Sequence, residues 1–174
     1  MDFNSEIKNL TSLSKAIRES TLKRLKSVPA CFENWRPNSG SMSFADVAAH
    51  LIECDLWLIE KYKKHSIKHL TGKSNNVKIK NKDEYKKLLS DLSESGKTKV
   101  KFLNTLSNDD LKKSIFDDRF GKKVSFWWII VRGNFDHEIH HRGELAVYLK
   151  LIEKYSTAFF KKTSSRLWKN LYPN

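Results

Sequence analysis

Little in this chain points to a fold held together by anything but a buried core. It has only 2 cysteines in 174 residues, Cys31 and Cys54. They lie far apart and form no CxxC pair, which excludes both a disulfide framework and a zinc-knuckle spacing. Glycine (6) and proline (3) are also scarce. That scarcity argues against a turn-rich β architecture and makes an all-α fold the expectation. Long hydrophobic runs are missing as well: the longest, Val124 to Val131 with Ser125 inside it, is too short to span a bilayer. Met1 to Leu10 is polar and lacks the apolar centre of an export signal, so a cytoplasmic protein with no membrane partner is expected.

Charge is abundant by contrast. Charged residues make up 30% of the chain, the formal net charge is +13 and the sequence pI is about 9.7. Such a balance suits a nucleic-acid or anionic-membrane partner. The lysines are nevertheless strewn, around Lys61–Lys64, Lys78–Lys87, Lys97–Lys101 and Lys161–Lys162, where a bundle shows polar faces or loops. A solvated basic surface is therefore expected, and nucleic acid is not the expected partner.

Apolar residues set the elements. Ile7, Leu10, Leu13, Ile17, Leu22 and Leu25 recur at three- to five-residue steps, which predicts one amphipathic helix ending before Pro29. A turn-rich stretch from Asn34 to Gly40 follows, and Ser43 with Asp46 three residues on begins a second helix over about Phe44 to Tyr62. The polar stretch Lys63 to Lys80 reads as a long loop. A third helix is predicted over about Lys82 to Leu106, with Gly96 a point of interruption. Ser107 to Asp109 then make a break, with Asn108 or Asp109 expected to cap a short turn before Gly121. The fourth and longest helix is placed at about Val124 to Lys154. Its first half, with Trp127, Trp128, Ile129 and Val131, carries more apolar surface than one bundle core covers, and a homodimer is expected from it. Residues 156–174 are weakly amphipathic through Phe159, Phe160, Leu167, Trp168 and Leu171. They are compatible with one more short helix, an extension packing on a bundle of residues 1–155.

The histidines are the chemistry. His137 and His141 are four apart on the fourth predicted helix, so at about 100° per residue they project from one face, one turn apart. On the same wheel Phe126, Ile130, Tyr148 and Ile152 fall within about 60° of His137, which turns the pair toward the bundle interior. Buried imidazoles need a partner, and a metal ion supplies one. His50 sits beside Val47, Leu51, Cys54 and Leu58 at the edge of the second helix's apolar stripe. One histidine from one helix and two from another give three nitrogen donors and leave a coordination position open. An i, i+4 histidine pair is also common on chains that bind nothing. His140 offers an i, i+3 spacing but lies about 60° to the other side of His137, and His65 and His69 fall among lysines where solvation is expected.

The run His137-Glu138-Ile139-His140-His141-Arg142-Gly143-Glu144-Leu145 resembles the last core helix of the DinB/YfiT-like superfamily, where an HxxxHxGQ pattern supplies two metal ligands. The segment Trp35-Arg36-Pro37 through Phe44-Ala45-Asp46-Val47-Ala48-Ala49-His50 resembles the family's other hallmark, the first ligand following a WRP-type turn. The resemblance covers roughly residues 5 to 155. It implies a four-helix bundle of up-down-down-up type with a three-histidine site at His50, His137 and His141. Nickel, zinc and manganese are among the ions it suggests. Characterised relatives include thiol-dependent S-transferases and a mycothiol-dependent maleylpyruvate isomerase. Glu144 stands where the family usually has Gln, and the tail beyond Tyr155 lies outside the common core.

Two functions of different class follow. One is a metal-dependent transferase or hydrolase acting on small thiol conjugates or electrophiles, with Glu144, one turn beyond His141, orienting a ligand or accepting a proton. The bland alternative for Glu144 is a solvated or helix-pairing carboxylate. The other function is a non-enzymatic stress-response or binding bundle whose metal is structural or vestigial.

Overall fold

In the computed structural model, residues 4–64, 76–117 and 120–160 are described. Helix α1 spans Asn4–Lys26, α2 Phe44–Lys64, α3 Lys82–Leu103 and a short α4 Asn108–Lys112. Two antiparallel strands, β1 Ser114–Asp117 and β2 Lys122–Ser125, form a hairpin. A continuous helical stretch then begins with α5, Phe126–Trp128, widens into a π-helical segment, Ile129–Phe135, and continues as α6, Asp136–Phe160.

Helix starts follow local chemistry. Ser43 and Asp46 form the expected reciprocal cap of α2: the Asp46 N–H donates to Ser43 Oγ at 3.1 Å and the Ser43 N–H to Asp46 Oδ2 at 2.8 Å. Asn81 caps α3 by accepting from the N–H groups of Asp83 and Glu84. At α4 the cap is Ser107, paired reciprocally with Asp110, rather than Asn108 or Asp109. Ser107 wins because only it has an acidic residue three positions on that reaches back to its own N–H.

Cross-helix contacts fix the directions. Leu25 meets Tyr85 while Arg18 meets Leu92, so α1 and α3 run antiparallel. Asp55 meets Ser95 while Tyr62 meets Phe102, so α2 and α3 run parallel. Phe44 meets Tyr148 while Tyr62 meets Phe126, so the last helical stretch opposes α2. The bundle is up-down-down-up, as expected.

The interior is layered. One apolar cluster joins Leu10, Ile17, Leu58, Leu103, Phe126 and Ile129 at one end. A second joins Leu25, Phe44, Leu51, Leu92, Leu145 and Ile152 at the other. Each such side chain, fully buried, contributes about 1.5–3 kcal/mol. Between the clusters lies a polar belt in which Arg18, His50, Asp55, Lys99, Asn134, Glu138 and His141 are all buried.

Several sequence expectations change here. Leu13 is 47% exposed, and the inner face of α1 carries Ser14, Arg18 and Thr21 beside Leu10, Ile17 and Leu25; of these polar residues Arg18 joins the belt. Gly96 does not interrupt α3. A Cβ at that position would stand 3.1 Å from Arg18 Cγ, so glycine makes room for the arginine. The hairpin was not expected, since four-residue strands are too short to announce themselves by alternation, and Val124 and Ser125 are strand rather than helix. Of the surplus apolar surface in the fourth predicted helix, Ile129 is fully buried and Trp128 and Val131 are half-buried, which leaves Trp127 exposed; Phe116 and Phe120 of the hairpin region are exposed as well. α6 continues through residue 155 to Phe160. The region of residues 161–174 and the segment with His65 and His69 lie outside the described residues. Among the described residues, no helix is long and apolar enough to cross a membrane.

Candidate metal centre

The site is assembled by two anchored segments. Trp35 stacks edge-on against Tyr148 of α6 with ring centroids 5.8 Å apart. Its neighbour Arg36 pairs with the fully buried Asp46 at 3.0 Å. Asp46 also accepts from Ser43 Oγ and from the Val77 N–H, so the entry to α2 is pinned from three directions. His50 follows one turn later, at a fixed angle and depth.

The second segment is the helical stretch through the π-helical residues into α6. Gly133, Asn134 and Phe135 are buried within the π-helical segment, as are Ile129 and Ile130. Asn134 Nδ2 donates to the Cys54 carbonyl at 3.2 Å, and its Oδ1 accepts from Lys99 at 2.9 Å. This ties the start of α6 to α2 and α3, next to the two histidines.

The three expected histidines converge. His50 Nε2 lies 2.7 Å from His137 Nε2, and His141 Nε2 lies 3.1 Å from the same atom. His50 and His141 are buried and His137 is half-buried. His140 projects outward and meets the exposed side of Glu144 at 3.3 Å. Glu144 Oε2 stands 2.7 Å from His141 Nδ1.

Proton accounting identifies what this cluster suits. Burial, and then the neighbouring His141, push His50 down to about 4. Burial also lowers His141, against the opposing pull of Glu144. Both are therefore neutral near pH 7, the ligating form. A neutral His141 that donates Nδ1–H to Glu144 has a bare Nε2. Each imidazole nitrogen has one in-plane position, filled by a proton or a lone pair. With His141 bare, only a proton on His137 Nε2 can lie between them, and it must then be shared with His50 as well. A single cation among three lone pairs resolves this arrangement without a shared proton, so the donor set fits a divalent ion.

Sequence reasoning missed two features. One is Cys54, treated there only as part of a stripe. Its Sγ lies 3.5 Å from His50 Nε2, and the ligand atoms of His50, Cys54 and His137 all lie within 4.8 Å of one another, a group that could hold a metal ion. Its i+4 spacing from His50 was the available signal. Burial first, and then Asp55, push the thiol up to about 12.

The other is the ionic half of the belt. Arg18 makes a two-pronged contact with Glu138, at 2.7 and 2.9 Å, and reaches Asp55 at 2.8 Å and the Leu92 carbonyl at 2.6 Å. Lys99 reaches Asp55 at 2.7 Å and Glu138 at 3.4 Å. Burial works against the charge on Asp55 and on Glu138, yet the two cations outweigh it and hold both carboxyls below the usual range. Arg18 is raised further above its already high value by the same partners, despite its burial. No spacing rule announces a set of four charges from four helices.

Known proteins agree with this architecture. No curated protein matches the chain. Among solved structures, a DinB-like protein from Bacillus subtilis, YjoA, is similar with a TM-score of 0.62 at 20% sequence identity, covering 83% of this chain and 92% of that one. At that identity the likeness speaks for the fold. Residues 14–145, well over half of the chain and spanning all three histidines, match the DinB superfamily, and the chain belongs to that superfamily.

Proposed function

We propose that the protein is a divalent-metal-dependent transferase or hydrolase of small thiol conjugates or electrophiles, with the ion held by His50, His137 and His141. The observation that carries this reading is the meeting of three Nε2 atoms at 2.7 and 3.1 Å, with His50 and His141 buried. Three nitrogen donors without charge suit zinc, nickel or manganese. Such an ion supplies Lewis acidity, which brings a water or thiol nucleophile toward neutral pKa. The chain's own part is to orient and to exclude. Glu144 holds the Nδ1–H tautomer of His141, and the apolar clusters above and below keep the belt dry. Half-buried His137 and Glu144 mark the side from which a small molecule reaches the site.

Homodimerisation belongs to the same proposal, supported by the exposed rings of Trp127, Phe116 and Phe120. Sedimentation at micromolar concentration checks it, and a clean monomer rejects it. The function is tested by elemental analysis of protein purified without a nickel column, beside a His137→Ala variant, and by turnover of thiol plus electrophile pairs with and without chelator. One equivalent of metal in the wild type and none in the variant is expected. Stoichiometric metal in both would overturn the ligand assignment, and a metal-loaded protein that turns over no pair would favour the binding bundle.

A further inference from the structure

We infer that Cys54 is a fourth donor to the same ion, which makes the site three nitrogens and one sulfur. The inference rests on the three-histidine reading. Its own support is geometric. Tetrahedral bonds of about 2.0–2.1 Å to nitrogen and about 2.3 Å to sulfur separate neighbouring nitrogen and sulfur donors by about 3.5 Å. Cys54 Sγ stands 3.5 Å from His50 Nε2. The nitrogens stand closer together than such an edge at 2.7 and 3.1 Å, and His141 lies outside the group in which the donor atoms of His50, Cys54 and His137 are all within 4.8 Å of one another, so one ion on all four donors requires the side chains to shift.

Burial alone does not account for this cysteine. A buried cysteine usually acts as a small apolar filler, yet Cys54, only 2% exposed, is a member of neither apolar cluster. It lies in the polar belt, one helical turn from His50 and one residue from Asp55. Its carbonyl is held by Asn134, which fixes the backbone that aims the sulfur. As the sulfur–metal bond forms, the thiol releases its proton to solvent. An ion held by all four donors would have its tetrahedral positions filled by the protein, and a substrate would need a fifth position, a coordination number zinc can reach.

Cobalt(II) is the probe, added to one equivalent of the metal-free full chain. The wild type is expected to show a near-ultraviolet sulfur-to-cobalt charge-transfer band, lost in Cys54→Ser and in Cys54→Ala; circular dichroism identifies which variants fold. Cobalt bound by the wild type without the band overturns this inference and leaves the three-histidine reading standing. A band that persists in the folded variants overturns it too. A wild type that binds no cobalt overturns both.

Discussion

The polar belt has two halves that differ in what they bring together: opposite charges in one, lone-pair donors in the other. Around Arg18, two cations face two carboxylates, and the bidentate Arg18–Glu138 contact and the Lys99–Asp55 contact leave the set with no formal excess charge. One turn away, at His50, His137 and His141, three ring nitrogens face one another at 2.7 and 3.1 Å. A closed set of bonds asks for nothing from solution and holds helices together. An electron-rich set asks for a cation. The two halves adjoin, since Glu138 follows His137 and Asp55 follows Cys54, and His50 and His141 are buried as the four charged groups are, so burial alone does not mark the functional half.

Breaking the ionic half should have the larger effect on folding. Removing one charge from a buried set leaves its partners uncompensated, at a cost of about 3–5 kcal/mol. Glu138→Gln is expected to lose that much in urea unfolding, whereas His137→Ala in metal-free protein is expected to lose about 1 kcal/mol. Equal losses would erase the distinction. Metal sharpens it from the other side. An ion at a hundred times its Kd should stabilise the wild type by about 2.7 kcal/mol, reversibly with chelator. His137→Ala should show none of this.

Acid probes the ionic half separately. Asp55 and Glu138 titrate below the usual carboxylate range in the folded protein, so the unfolded chain takes up their protons first as pH falls. Their contribution is fully present above about pH 4 and is lost below it, with a slope approaching about 1.4 kcal/mol per pH unit for each group. Asp55→Asn should flatten the acid limb of a stability-against-pH curve. An unchanged limb would mean that other carboxylates govern it.

The two halves were not equally legible. His137 and His141 could be read because both stand on one helix, where spacing is geometry, and His50 because it sits at the edge of an apolar stripe after a Trp35-Arg36-Pro37 turn that resembles the family's; the Trp35 and Arg36 contacts that fix the entry to α2 appear only in the structure. The helices themselves were legible from apolar periodicity and from the Ser43–Asp46 cap. Arg18, Asp55, Lys99 and Glu138 come from four different helices, so no local window contains the set. On α1 Arg18 itself faces inward while Leu13 lies outside, which departs from the apolar pattern. The hairpin and the π-helical segment were invisible for a related reason: each is stabilised by what it packs against more than by its own composition.

Glu144 lies where the histidine half meets solvent, and substitutions there test how far orientation matters. Its carboxylate, 34% exposed, accepts from His141 Nδ1 at 2.7 Å. Glu144→Ala removes that acceptor, frees the ring and its tautomer, and is expected to weaken metal binding by about 10–100-fold. Glu144→Gln keeps an oxygen in place, so His141 stays oriented; binding and turnover should both stay close to wild type. If Glu144 instead takes a proton during the reaction, the glutamine variant binds metal normally and loses about 10² in turnover. Metal titration of both variants, read beside turnover of the same thiol and electrophile pairs, separates these outcomes. Unchanged binding in Glu144→Ala would mean that His141 is held by its burial alone, and the carboxylate would then be a solvated neighbour.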